Sequence, residues 1–249
     1  MRAIFLGTNG WYDTDTGNTI CILIRTTDYE IIFDAGNGFY KLDAYIPEVN
    51  MKPVYLFLSH FHLDHIVGLH TLMKFKFSQG LTICGPTGTR DILGTFINNP
   101  FSASISQLPF SVTIYELPEE LIKIPFEVEA RELYHPSLTL GYRIEIEKKV
   151  ISYCPDTGYC ENAVTLARSS DLLIAECAYK EGQSSESWPH LNPETAARIA
   201  RDASAKSLAL VHFDAETYKT IVERKEAEMV AQKIFKNAFI TTDTMTIEI

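Results

Sequence analysis

A chain of 249 residues, 46% of them hydrophobic, is long and apolar enough to bury a substantial core, which sets aside disordered and fibrous classes. The formal net charge of -10 argues against broad attraction to long nucleic acid, because sequence-independent affinity for phosphate chains comes from clustered Lys and Arg. No apolar run approaches the roughly 20 residues that span a bilayer. The opening Met1-Arg2-Ala3-Ile4-Phe5-Leu6-Gly7 carries no leader-peptide signature, so a cytoplasmic location without membrane partners is expected. The five cysteines, Cys21, Cys84, Cys154, Cys160 and Cys177, are odd in number and lack a Cys-x-x-Cys spacing, so they are expected as thiols.

Strand-like runs come first, at Ala3 to Leu6, Thr19 to Ile24 and Glu30 to Phe33. The uniformly apolar Val54 to Leu58 suits a strand covered on both faces. Leu140 to Glu147 and Val150 to Cys154 predict a hairpin around Lys148 and Lys149, although lysines suit a tight primed turn poorly. Asn192-Pro193-Glu194 predicts a helix start, with a cap, a proline at the first helical position and an acid in the first turn. Asp214 followed by Ala215 to about Phe235 predicts a last long helix, and the tail a terminal strand pair. With no linker, repeat or low-complexity stretch, a single domain over residues 1–249 with mixed α and β layers is expected.

Reactive side chains follow these apolar runs. Asp34, His60, His135, Asp156, Glu176 and His212 each fall at the carboxyl end of a predicted strand, where sites assemble in layered α/β folds. Within His60-Phe61-His62-Leu63-Asp64-His65, His60 and His62 can face one way in extended chain and share an ion, while Asp64 and His65 face elsewhere. One segment thus offers donors to two metals, and His135, His212 and Asp156 could complete both spheres. His70 is read as a surface or satisfied histidine. Cys154 and Cys160 are not needed as ligands, and Phe75, Phe77, Phe96, Phe101 and Phe110 are read as core rather than pocket.

The motif, followed by isolated His135, Asp156-Thr157-Gly158 and Leu210-Val211-His212-Phe213, resembles the metallo-β-lactamase-fold hydrolases, and the likeness runs from Phe5-Leu6-Gly7-Thr8 through Ile32-Phe33-Asp34-Ala35-Gly36. The resemblance implies an α/β, four-layer αββα sandwich with mixed β-sheets. It implies two Zn2+, with Mn2+ or Fe as alternatives: His60, His62 and His135 on one ion, Asp64, His65 and His212 on the other, Asp156 bridging and Asp34 in support. The stretch from His190 to Arg201 is similar to the ribonuclease Z branch and its phosphodiesterase relatives, in which the histidine opening this helix is catalytic. His190 matches that position, Glu176 is a candidate to orient it, and Asp64 is placed with them in the catalytic set.

In ribonuclease Z an arm that grips tRNA is inserted between the third histidine motif and the bridging aspartate. Here only 21 positions separate His135 from Asp156, and residues 12–19 lack the proline- and basic-rich loop of the tRNA enzyme. The expected activity is therefore dizinc hydrolysis of a small or terminal phosphodiester: a cyclic nucleotide, a cyclic sugar phosphate or a short RNA end. The alternatives are tRNA 3′ processing, or hydrolysis of an ester, thioester or lactone. A di-iron redox protein is a further class, disfavoured because His62 stands where those proteins carry glutamate. A non-catalytic scaffold is disfavoured because no ligand is missing. A homodimer would be a way to extend the binding surface.

Overall fold

The computed structural model describes residues 1–48 and 50–249. Its strands in chain order are β1 (Arg2–Gly7), β2 (Asn9–Gly10), β3 (Cys21–Arg25), β4 (Glu30–Phe33), β5 (Val54–Phe57), β6 (Leu81–Pro86), β7 (Val112–Leu117), β8 (Glu127–Glu132), β9 (Leu140–Ile146), β10 (Lys149–Cys154), β11 (Leu172–Glu176), β12 (Leu208–Val211), β13 (Phe213–Asp214), β14 (Ala238–Ile240) and β15 (Thr246–Glu248). The α-helices are α1 (Leu63–Ile66), α2 (Thr89–Phe96), α3 (Glu161–Ala167), α4 (Pro193–Asp202) and α5 (Ile221–Gln232), with 3₁₀ segments at Asn37–Ala44 and Val67–Lys74 among others.

Among the described residues two large sheets form, ordered β15-β1-β3-β4-β5-β6-β7 and β14-β12-β11-β10-β9-β8, with a two-stranded β13-β2 pair. Each large sheet mixes directions: β4 to β7 are parallel neighbours in the first, and β10, β11, β12 and β14 in the second. Three apolar layers follow. Phe5, Ile22, Phe33 and Phe57 of one sheet meet Tyr142, Tyr153, Ile174 and Val211 of the other. The outer face of the second sheet is covered by α3, α4 and α5 through Leu166, Ile199 and Ala227. The outer face of the first is covered by the two long 3₁₀ segments and α2 through Phe39, Leu69 and Leu93. This is the αββα layering expected. Covering both faces of β5 and β11 explains the apolar runs at residues 54–57 and 172–175.

The hairpin of β9 and β10 forms with Ile146 opposite Lys149, so Glu147 and Lys148 make the turn. Both have positive φ, 53° and 60°, which is the geometry of a primed turn that follows the twist of the strands. Helix α4 starts as its sequence requires, the Asn192 side chain accepting the Thr195 amide at 2.8 Å.

Two expectations need correction. The last helix begins at Ile221, not at Ala215. Asp214 instead ends strand β13 and its carboxylate accepts the Thr217 amide at 2.7 Å, closing a local turn. Thr220 and Glu223 then form a reciprocal capping box that fixes the true start. The terminal strands do not pair with each other: β14 lies parallel to β12 and β15 antiparallel to β1. Each becomes the edge strand of a different sheet, pairing the backbone groups that β12 and β1 would otherwise leave open. Phe75 and Phe77 are core residues as read, whereas Phe101 is 64% exposed.

Candidate metal centre

The site lies where parallel strands end. Asp34 follows β4, His60 follows β5, Asp156 follows β10, Glu176 ends β11 and His212 follows β12. The turns that leave these strands are fixed by backbone bonds rather than by side-chain length. The Asp34 amide donates to Phe57 O at 2.9 Å, Ala35 N to His65 O at 2.8 Å, and Leu140 N to Ser59 O at 2.9 Å. Gly158 N donates to Tyr134 O at 2.8 Å, which ties the loop of His135 to that of Asp156. Two glycines permit the approach: a Cβ on Gly36 would lie 2.2 Å from Asp64 O, and one on Gly10 would lie 2.5 Å from the His212 ring. Asp34 and His212 hold left-handed backbone, with φ of 54° and 51°. For non-glycine residues this costs on the order of 1–3 kcal/mol and concentrates at functional turns.

Donor atoms of His60, His62, His135 and Asp156 lie within 4.8 Å of one another, and those of Asp64, His65 and His212 form a second such group. The Asp156 carboxylate faces both. Its Oδ1 is 3.1 Å from His65 Nε2 and 3.2 Å from His212 Nε2, while Oδ2 is 3.9 Å from His60 Nε2. His65 Nε2 and His212 Nε2 are 3.0 Å apart, and His212 Nε2 is 3.2 Å from Asp64 Oδ2.

The donor set fits cations. His60 Nε2, both ring nitrogens of His135 and Asp156 Oδ1 are buried without a hydrogen-bond partner among the described residues. Buried polar atoms are nearly always satisfied, so converging orphans of lone-pair character mark a position for an ion. Burial, followed by the neighbouring imidazoles, lowers His60 well below the ordinary range, and burial foremost pushes His135 down to about 4. Those rings are neutral and can donate lone pairs. Burial opposes ionisation of Asp64 and Asp156, yet the surrounding histidines outweigh it and hold both carboxyls low.

Behind the donors, Asp34 is fully enclosed. It accepts from Ser59 N at 2.7 Å, Ser59 Oγ at 2.8 Å and Tyr153 OH at 2.6 Å, and lies 2.8 Å from His65 Nδ1. Engaging Nδ1 in this way turns Nε2 of His65 toward the centre, and Ser59 Oγ at 2.9 Å from His60 Nδ1 does the same for His60. Replacing Asp34 by Asn is expected to weaken metal affinity or activity about 10- to 100-fold, the usual cost of losing an orienting partner. Metal content after dialysis against graded chelator, read beside kcat/KM, checks it.

His190 stands at the rim. Its Nδ1 is 2.8 Å from Glu176 Oε1, and one ring nitrogen comes within 4.8 Å of donor atoms on Asp156 and His212. Glu176, buried at the end of β11, is pinned by the Thr157 amide at 2.6 Å and the Ala178 amide at 3.2 Å. The sequence places Glu176 and His190 14 residues apart; the fold makes them a pair. His70 is exposed and bonded to Val67 O, apart from the cluster. All five cysteines are free and none contributes to the cluster.

Ser59, Tyr153, Trp11 and Trp188 join the site through contacts that the motifs alone do not specify. Ser59 had a usable signal, a small polar residue between a buried strand and a metal motif. Tyr153 had none, because its hydroxyl reaches Asp34 only through sheet-to-sheet packing. The Trp11 amide donates to Asp64 Oδ2 at 2.7 Å, and Trp188 stacks on His62 with centroids 5.6 Å apart and planes at 13°.

A sandwich of mixed sheets with paired His/Asp donor groups at its strand ends defines a hydrolase of the metallo-β-lactamase fold. The model of the β-lactamase superfamily domain matches residues 29–213, and the chain belongs to that family. It is similar to ribonuclease Z of Pyrococcus abyssi (strain GE5 / Orsay), 28% identical over 267 aligned positions covering 85% of this chain and 86% of that one. It is also similar to the probable metallo-hydrolase YhfI of Bacillus subtilis (strain 168), at 27% identity over 86% of this chain and 87% of the relative. The crystal structure of YhfI superposes with a TM-score of 0.81 at 22% identity over 99% and 98% of the two chains. That of the short form of human tRNase Z gives 0.77 at 22% identity over 100% and 99%. Among the described residues no helix is long and apolar enough to cross a membrane.

Proposed function

We propose that the protein is a dizinc phosphodiesterase acting on a small or terminal phosphodiester. In this reading His60, His62 and His135 hold one ion, Asp64, His65 and His212 the other, and Asp156 spans both. The observation that carries it is the Glu176–His190 pair at the rim of the paired donor groups. When bound, a pair of divalent ions supplies Lewis acidity and an acidified water at neutral pH. As a water-derived oxygen replaces the leaving oxygen on phosphorus, His190 delivers its proton to the oxygen that departs. Glu176 keeps that proton in place: burial disfavours the charged ring, but the adjacent carboxylate outweighs it and raises His190 to about 9.

A small substrate is supported by what fills the interval between His135 and Asp156. It is the β9–β10 hairpin with its two-residue turn. The cavity over the cluster is about 700 Å³, the size of a compact ligand. Purified protein is expected to cleave bis(p-nitrophenyl) phosphate, to lose that activity on chelation and to regain it with Zn2+. Turnover of carboxylic esters, thioesters or lactones without phosphodiester turnover would overturn the reading. Stoichiometric iron with oxygen reduction would revive the redox class instead.

A further inference from the structure

The cavity has walls that the hydrolytic chemistry does not use. The chain contains two tryptophans, and both line this one cavity. Trp188 is 48% exposed and Trp11 64% exposed, so neither indole is part of the core. Each is tethered to a different donor group. Trp188 lies parallel to His62, and its backbone is fixed by the Tyr179 hydroxyl at 2.7 Å and by Ser185 Oγ at 3.1 Å. Its ring centroid is 6.2 Å from that of His190. Trp11 is held by its amide on Asp64 and by Tyr12, whose ring meets it edge-on at 5.1 Å while its hydroxyl bonds Glu216 at 2.9 Å.

Trp11 also occupies left-handed backbone with φ of 71°. Glycine or asparagine adopts that conformation at little cost, whereas a bulky residue there is an outlier. A strained, exposed indole contributes little to folding, so its use is to be sought outside the fold. The remainder of the lining is instructive by its charge. Among the described residues it includes no lysine or arginine, and it adds Asp214 and the exposed Leu63. A polyphosphate would meet no compensating side chain beyond His190 and the cations of the cluster. A singly charged phosphodiester attached to an uncharged flat ring matches what the walls offer, since aromatic faces bind bases of any identity by stacking.

The geometry points to Trp11 and Trp188 as a stacking platform for a planar heteroaromatic ring, which makes the substrate a nucleoside phosphodiester rather than a sugar phosphate alone. This rests on the phosphodiesterase reading for the reacting phosphate, but the ring site is tested by binding without turnover. Because every tryptophan faces the cavity, intrinsic fluorescence reports on its occupancy. Adenosine 5′-monophosphate is expected to quench the fluorescence of the Zn2+-loaded protein saturably, with ribose 5-phosphate binding at least about tenfold more weakly by calorimetry. Trp188→Leu and Trp11→Leu are each expected to weaken the nucleotide roughly 5- to 150-fold, the range of one base–aromatic stack, and to leave ribose 5-phosphate affinity unchanged. Equal affinity of the parent protein for the two monophosphates overturns the platform, and that comparison needs no variant to fold. So does wild-type nucleotide affinity in both folded variants. Nucleotide-selective binding without phosphodiester turnover supports the platform and overturns the phosphodiesterase reading. Phosphodiester turnover with no preference for a base does the reverse.

Discussion

Asp156→Ala is expected to lower kcat/KM on phosphodiesters on the order of 10⁴-fold while leaving the protein folded. Two losses combine. The carboxylate is the side chain that faces both donor groups, with one oxygen toward His65 and His212 and the other toward His60. Without it no carboxylate would be left to face both donor groups, and a pair of divalent ions held there would acidify a water less. Relaxing that water from a pKa near 7 toward about 9 costs roughly 100-fold in hydroxide at neutral pH. Losing preorganised charge at the developing phosphorane oxygens costs roughly another 10²–10³-fold. The fold is expected to survive because Asp156 closes no backbone turn and its Oδ1 satisfies no hydrogen bond among the described residues. Circular dichroism, metal content and steady-state kinetics on one preparation check this, and a loss under tenfold with full metal content would remove Asp156 from the bridging role.

The contrast between Asp156 and its surroundings also explains what the sequence could disclose. Donors at strand ends are legible because two local patterns coincide there: an apolar run of strand length and a reactive residue just after it. Asp34, His60, Asp156, Glu176 and His212 all satisfy that condition, and the fold brings them to one edge. The layering was legible for a related reason, since strands buried on both faces read as unbroken apolar runs. The limits of α5 and the fates of β14 and β15 depended on competition. The Thr220–Glu223 capping box prevailed over the propensity of residues 215–219, and two open sheet edges prevailed over a local hairpin. Tyr153 and Trp188 escape sequence reading because their partners are 119 and 126 residues away along the chain. Nothing local distinguishes the hydroxyl of Tyr153, which orients Asp34, from that of Tyr142, which bonds the Leu58 carbonyl at 2.5 Å.

The pair of Glu176 and His190 carries the second large expectation, and its sign follows from which form of the imidazole acts. A proton donor to the leaving oxygen must be charged, so activity is present below its pKa and is lost as pH rises through it. In the parent protein burial works against that charge and the Glu176 carboxylate, 2.8 Å from Nδ1, overcomes it, raising His190 from 6.5 to about 9. The basic limb of kcat should therefore lie well above neutrality. Glu176→Gln keeps the hydrogen-bonding shape and removes the charge, leaving the weaker pull of the Asp156 carboxylate against burial. The limb is expected to move to lower pH by about two units or more, so that at pH 8 the variant loses at least about tenfold while at pH 6 it loses much less. Cations bound at the cluster would lower the limb in both proteins alike, which makes the difference between them the measure of the carboxylate. His190→Ala should abolish the limb and cost roughly 10²–10⁴-fold with poor leaving groups. With p-nitrophenolate, which departs without a proton, the cost should shrink several-fold or more. An unchanged pH profile in Glu176→Gln, or equal losses in His190→Ala for good and poor leaving groups, would make His190 an electrostatic or metal-binding residue and not the proton donor.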